Sequence, residues 1–244
     1  ERSGRKLAIA EADKIPVISG NPERILVPVS NPATIEGLVD FAILIRDTQA
    51  SQPVYMLSVV PDDEFAQEQI LKNNKMFESA ISHAAAADTK LNLVSRVDLN
   101  VANGISRAVK ELMINKTILG WNGKITTSNF LFGSIIENLI SSTEQMVMVV
   151  KALRPFNTIN RVIVIIPENA EIEAGFNTWL LMLKVLAIRT SSMLLFEGFQ
   201  KTLSEIRIFY DMDAVNLKIE YKVSEVSHPL IEHAQQGIEQ DLYV

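Results

Sequence analysis

Short apolar runs rich in β-branched residues alternate along the chain with longer stretches that carry apolar residues at helical spacing. The first run, residues 24–29, reads RILVPV, and the fifth, Met146–Val150, reads MVMVV. Strands that alternate strictly with helices pair in parallel, so the five strand-like runs predict an α/β fold with a mostly parallel sheet. Helices cover both faces of such a sheet, which explains why these runs are apolar almost throughout.

The alternation then begins a second time. Residues 161–167 read RVIVIIP and resemble the first run, and further strand-like and helix-like stretches follow in the same order. We therefore predict an internal tandem repeat. A linker occupies residues 1–21, a first domain residues 22–152, and a second, divergent and truncated domain residues 153–244.

Composition excludes several classes of function. The chain of 244 residues has no cysteine, which excludes disulfides, thiol catalysis and zinc sites built on cysteine. Its net charge of −6 provides no general attraction to nucleic acid, so we expect no nucleic-acid partner. No apolar run approaches the roughly 18 residues that a membrane helix needs. The chain begins with Glu1 rather than Met, from which we expect it to be a piece of a longer protein.

A group of glycines late in the first domain points to a ligand. Gly120 and Gly123 are separated by two residues, and Gly133 follows after nine more, directly before Ser134. An apolar run precedes the group and a helix-like run follows it, so the glycines lie on a loop between a strand and a helix. Backbone N–H groups on such a loop, together with the N-terminus of the next helix, can hold a phosphate.

The spacing G-x2-G-x9-G-S resembles the nucleotide-binding signature of the universal stress protein family, and the flanking strand-like runs also fit that family. The resemblance implies a doubly wound fold with a mostly parallel five-stranded sheet, which binds ATP or AMP at the carboxyl ends of the strands. It implies that the backbone of Val59 meets the adenine edge. It also assigns the ribose and phosphates to a set of loop residues, namely Gly120, Gly123, Gly133, Ser134 and the N–H of Ile135.

Three further residues bear on this site. The family usually has an aspartate just after the first strand, where this chain has Ser30. A serine supplies no carboxylate to a ribose hydroxyl or a magnesium shell, so we expect no magnesium at this position. Lys124 is either a phosphate-facing charge or a solvated surface lysine. Trp121 either covers the site or packs against a neighbouring segment.

The tandem arrangement and the text GRKLAIAE ahead of NPERILVPV resemble the cytoplasmic tail of bacterial sodium(cation)/proton antiporters. This second resemblance implies a cytoplasmic regulatory or sensing domain of a membrane protein. Two alternatives remain open. One is a degenerate module that does not bind nucleotide and pairs through Met146–Val150, either as a homodimer or between the two repeats, and the other is a stand-alone tandem universal stress protein.

The sequence offers little support for an enzyme or a metal site. We find no pair of general acid and base, and no serine lies in a recognisable nucleophile motif. His228 and His233 are five residues apart, so on a helix they point in different directions and do not form a metal-binding pair. We therefore expect a binding domain without catalytic residues.

Overall fold

The computed structural model describes residues 22–47, 50–121, 136–141, 145–212, 216–224 and 241–244. The described chain divides into two compact units, with the boundary between Arg154 and Pro155. Each unit is built around its own parallel sheet. No helix in the described ranges is long and apolar enough to cross a membrane.

Strands and helices alternate in the first unit as the sequence predicts. In chain order they are β1 (Ile25–Pro28), α1 (Ile35–Ile45), β2 (Val54–Pro61), α2 (Ala66–Ala86), β3 (Leu91–Asp98), α3 (Val101–Glu111), β4 (Lys116–Gly120) and β5 (Met146–Val150). Residues 136–141 are helical as well. The sheet has the order β3-β2-β1-β4-β5 with every pair parallel, which confirms the predicted five-stranded α/β fold.

The helices of this unit lie on both faces of the sheet. On one face, α1 covers β1 and β4 and packs beside α2. On the other, α3 contributes Ile105 and Val109 to a buried cluster that includes Leu26 and Leu57. The buried residues of α3 recur at spacings of three and four, so the helix presents one apolar side to the sheet.

The second unit repeats this plan. Its elements are β6 (Arg161–Ile165), α4 (Phe176–Thr190), β7 (Met193–Gly198), α5 (Gln200–Asp211), β8 (Ile219–Val223) and β9 (Asp241–Tyr243). The sheet order is β8-β7-β6-β9, all parallel. This is the order of the first four strands in the first unit, as predicted for a tandem copy.

Equivalent hydrogen bonds support the correspondence between the two sheets. Beyond the end of β1, the N–H of Val29 donates to the carbonyl of Leu57 at 2.8 Å. Beyond the end of β6, the N–H of Ile166 donates to the carbonyl of Glu197 at 2.9 Å. The first strand of each unit therefore ends against its neighbour in the same way.

Candidate functional site

The first sheet contains a point at which its connections change direction. The chain passes from β1 to β2 and then β3 on one side of β1, and it returns to β4 on the other side. Helices therefore leave β1 and β4 toward opposite faces, and a crevice opens at the carboxyl ends of these strands. Ligands of doubly wound folds bind in crevices of this kind.

The structure brings Ser30 and Val59 together at this edge. Pro28, the last residue of β1, pairs with Leu57, so two residues further on Ser30 lies level with Val59. The chain then turns away, because Pro32–Thr34 form a 3-10 turn in which the side chain of Asn31 accepts from the N–H of Ala33. β2 thus extends past the end of β1, and Ser30 is exposed beside it.

The backbone of Val59 faces the opening beyond β1. In a parallel sheet, alternate residues of a strand bond to opposite neighbours. Val54 donates to Lys90 on the β3 side, whereas Leu57 accepts from Val29 on the β1 side. The N–H and C=O of Val59 point the same way as those of Leu57, toward the position that β1 would occupy if this strand continued. One backbone donor and one backbone acceptor therefore face the crevice.

Packing on both faces of the sheet fixes the end of β2. On one face, a Cβ built on Gly104 of α3 would lie 2.7 Å from Cγ1 and 3.0 Å from Cγ2 of Val59. On the other face, Nδ2 of Asn73 in α2 donates to Oγ of Ser58 at 2.6 Å. Ser58 is buried, so this hydrogen bond lies beneath the sheet edge and away from solvent.

Gly120 closes the opposite side of the crevice. Leu26 pairs with Thr117, so three residues further on Val29 lies level with Gly120. A Cβ at Gly120 would approach Cδ1 of Leu38 to 2.9 Å, so this glycine allows β4 to pass close beneath the start of α1. The glycine loop follows directly after it.

Trp121 lines a groove next to this point. The groove has a volume of about 200 Å³ and lies between the start of α1 and the segment after β5. Its other lining residues include Asn31, Thr34 and Ala152. The N–H of Trp121 donates to the carbonyl of Val150 at 2.8 Å, and the residue is 40% exposed.

The structure leaves the remaining predicted site residues untested. Gly123, Lys124, Gly133, Ser134 and Ile135 lie outside the described residues. The described chain resumes with the helical residues 136–141, of which Leu139 is fully buried. Of the eight predicted positions, the structure therefore places Ser30, Val59 and Gly120, and all three lie around the end of β1.

Charged side chains near the crevice serve the scaffold. Asp98 ends β3, where it accepts from the N–H of Asn100 at 3.3 Å and lies 3.2 Å from Arg107. Asn100 in turn caps α3 by accepting from the N–H of Ala102 at 2.8 Å. The described residues contain no group of three or more acidic or histidine side chains that could hold a metal ion.

One carboxyl group with a strongly lowered pKa lies in the second unit, near the carboxyl ends of its strands. Glu171 lies 2.7 Å from Nζ of Lys201 and accepts from Oγ1 of Thr202 at 2.6 Å. These two partners lower the pKa of Glu171 from 4.5 to about 2. The contacts join the turn after β6 to the start of α5, which is a structural role.

Sequence reasoning does not identify Gly104 or Asn73. A glycine inside a helical pattern usually has a packing reason, so Gly104 carries a signal that could be recognised. Asn73 carries none, because an asparagine on a polar helix reads as an ordinary surface residue. Only the fold shows that the two residues contact Val59 and Ser58.

Comparison with known proteins assigns the first unit to a family. The model of the universal stress protein family matches residues 22–151, which is more than half of the chain. The Na(+)/H(+) antiporter NhaS5 of Synechocystis sp. is 26% identical over 149 residues. That match covers 57% of this chain and 21% of the antiporter, so the chain spans about a fifth of that relative's length.

Solved structures share the fold over more of the chain. A universal stress protein from Archaeoglobus fulgidus DSM 4304 is 16% identical with a TM-score of 0.63, covering 90% of this chain and 84% of that one. The cytoplasmic domain of a prokaryotic cation chloride cotransporter is 13% identical with a TM-score of 0.53, covering 85% and 80%. Other solved universal stress proteins are described in complex with dAMP and with cAMP. With its family model matched across the first unit, this chain belongs to the universal stress protein family.

Proposed function

We propose that the first unit binds an adenine nucleotide, ATP or AMP, at the carboxyl edge of its sheet. We further propose that the chain is a cytoplasmic regulatory part of a cation/proton antiporter and is not an enzyme. The observation that carries the nucleotide proposal is the convergence of Ser30, Val59 and Gly120 at the end of β1, directly ahead of the glycine loop.

The two sides of the crevice contact different parts of the nucleotide. Val59 offers a backbone donor and acceptor to the base, and Gly120 begins the loop whose N–H groups suit a phosphate. Ser30 lies between them and contributes a hydroxyl group. Because no carboxylate occupies that position, the proposed site takes its nucleotide without a magnesium ion held by Ser30.

The second unit differs at the corresponding edge. β7 ends at Gly198, and the next residue, Phe199, is already the N-cap of α5. Val59, by contrast, lies within a strand that continues to Pro61. The second unit therefore lacks the extended strand end that presents a backbone edge, which supports a single nucleotide site in the first unit.

Calorimetric titration with AMP and with ATP tests the proposal. We expect saturable heat from the wild-type chain and loss of that heat in Gly123→Val, which alters the loop. Gly175→Val is the matched control, because a Cβ at Gly175 meets nothing within 4 Å and the residue lies in the second unit. The absence of heat from the wild type at millimolar nucleotide would refute nucleotide binding.

The role of Ser30 is tested by restoring a carboxylate. We expect ATP affinity to be independent of Mg²⁺ in the wild type and to become dependent on Mg²⁺ in Ser30→Asp. Ser30→Asn is the uncharged control of similar size. A wild type that already requires Mg²⁺ would contradict the metal-free site.

Antiporter regulation rests on the similarity to NhaS5 and is tested with the full-length protein. Membrane vesicles that contain it report cation/proton exchange through a pH-sensitive dye. We expect AMP added on the side that bears this domain to change the exchange rate, and Gly123→Val to abolish that change. An exchange rate that responds equally in wild type and variant would argue against regulation through this site.

A second candidate is an interaction module that forms dimers through β5. The observation in its favour is that β5 is the outer strand of the sheet and that Val149 is 42% exposed on it. A strand edge of this kind pairs readily with a second edge. Val149→Lys should then lower the mass measured by light scattering. Val97→Lys is the matched control, because Val97 is 43% exposed on β3, the outer strand at the opposite side.

A further inference from the structure

We infer that Gly104 and Asn73 are positioning residues that hold the backbone of Val59 for recognition of adenine, and that they set the preference of the site for this base. The inference rests on the proposed nucleotide function and adds to it the residues that determine specificity. It starts from an observation about β2: the end of this strand is held from both faces of the sheet.

Gly104 packs directly against the side chain of Val59 and leaves no space there for a Cβ. Both methyl groups of Val59 lie beneath Gly104, at 2.7 and 3.0 Å from the position that a Cβ would occupy. Each of the three staggered χ1 rotamers of Val59 leaves a methyl group at one of these two positions, and valine is stiff at this bond. A Cβ at position 104 must therefore displace α3 or the end of β2. Asp98, at 3.4 Å from the same point, bounds the space on the other side.

The contact at Asn73 acts on the neighbouring residue from the opposite face. Its side chain donates to the hydroxyl of the buried Ser58 at 2.6 Å. Ser58 also bonds through its backbone to the β3 side, because it alternates with Leu57 and Val59. Ser58 is thereby fixed by its side chain and its backbone. Because Val59 follows directly in the chain, these contacts also fix the direction in which the backbone of Val59 points.

A fixed orientation of the N–H and C=O of Val59 discriminates between bases. Adenine presents an amino donor and a ring-nitrogen acceptor on its Watson–Crick edge, which match one backbone C=O and one N–H. Hypoxanthine presents an acceptor and a donor in the opposite order. A rigid backbone at Val59 rejects this edge because the N–H and C=O of Val59 are left unpaired, whereas a movable backbone can adjust.

The experiment measures binding of AMP, IMP and ribose 5-phosphate to the whole chain by calorimetry. Ribose 5-phosphate has no base and reports only on the sugar and phosphate contacts. For Gly104→Ala we expect AMP affinity to fall roughly tenfold, because the hydrogen bonds between Val59 and the base lose their alignment. The affinity for ribose 5-phosphate should be unchanged. The preference for AMP over IMP should fall with the AMP affinity. Asn73→Ala should shift the preference in the same direction.

Two controls separate positioning from general damage. Val59→Ala combined with Gly104→Ala removes the methyl groups that collide with the new Cβ, and should restore AMP affinity toward that of Val59→Ala alone. Gly198→Ala places a new Cβ in a close contact with backbone, 3.0 Å from the carbonyl oxygen of Ile166, in the second unit and away from Val59. It should leave the AMP preference unchanged.

The outcomes distinguish the two proposals. A wild type that binds no AMP overturns the proposed function together with this inference. A wild type that prefers AMP, with a Gly104→Ala variant that keeps this preference, overturns the positioning role alone. Equal loss of AMP and ribose 5-phosphate affinity in Gly104→Ala also overturns it, because base recognition would not then be the property affected.

Discussion

The same substitution at two helical glycines should have opposite effects on the stability of the first unit. Gly104 in α3 and Gly37 in α1 are both interior helical residues with negative φ, and in both cases an added Cβ would be in close contact. Replacing glycine by alanine inside a helix stabilises the fold by about 1 kcal/mol, because alanine has the higher helix propensity. The two sites differ in what the new methyl group meets.

At Gly104 the new methyl group meets the two stiff methyl groups of Val59, which the surrounding strand holds in place. Overpacking of this kind costs about 1–3 kcal/mol, so the net effect is a destabilisation of up to about 2 kcal/mol. At Gly37 it meets Ala152, an exposed residue beyond the end of β5 that has room to move. We expect Gly37→Ala to be neutral or to stabilise by up to about 1 kcal/mol.

Urea unfolding followed by tryptophan fluorescence measures both effects. The chain has two tryptophans, Trp121 in the first unit and Trp179 in the second. In a Trp179→Phe background the signal reports on the first unit, and the free energy of unfolding follows from linear extrapolation. If Gly37→Ala destabilises the unit more than Gly104→Ala does, the reasoning from the rigidity of the neighbour is wrong.

Three further predictions concern stability. Glu171 has a pKa of about 2 in the fold against 4.5 ordinarily. Its contribution to the stability of the second unit is therefore complete above about pH 4.5 and is lost as the pH falls toward 2. Glu171→Gln should flatten this part of the plot of urea midpoint against pH for the second unit. Phe77→Ala empties a fully buried position on α2 and should cost the first unit about 3–5 kcal/mol, with the transition reported by Trp179 unchanged. Asn100→Ala removes the cap of α3 and should cost about 1 kcal/mol, whereas Asn100→Asp, which keeps an acceptor, should cost less.

The central strands of both sheets could be predicted because burial on both faces leaves a signal in every residue. Runs such as Ile25–Pro28 are apolar throughout, and strict alternation with helices then determines parallel pairing. Helix ends were harder to place. At the start of α1, Pro32–Thr34 form a 3-10 turn in which the N–H of Ala33 donates to the side chain of Asn31, so the helix begins only at Ile35.

The site was predictable in part. Val59 and Ser30 are far apart in the sequence, and the resemblance to the family assigned both to one ligand; the register of β1 with β2 places them level. The contacts that fix Val59 depend on which helix crosses which strand, and no local pattern encodes this. Gly104 and Asn73 come from two different helices on opposite faces of the sheet, so their shared relation to β2 exists only in the folded chain.

The comparison of the two repeats shows which features belong to the fold and which to a site. Both units end their first strand with the same hydrogen bond to the second, from Val29 to Leu57 and from Ile166 to Glu197. This bond is part of the scaffold. The second strand then continues in the first unit, whereas in the second unit the chain enters α5 directly after Gly198. A few residues of additional strand, which lie between Gly104 and Asn73, therefore distinguish the sheet edge at which we propose that a base is recognised from the corresponding edge of the second unit.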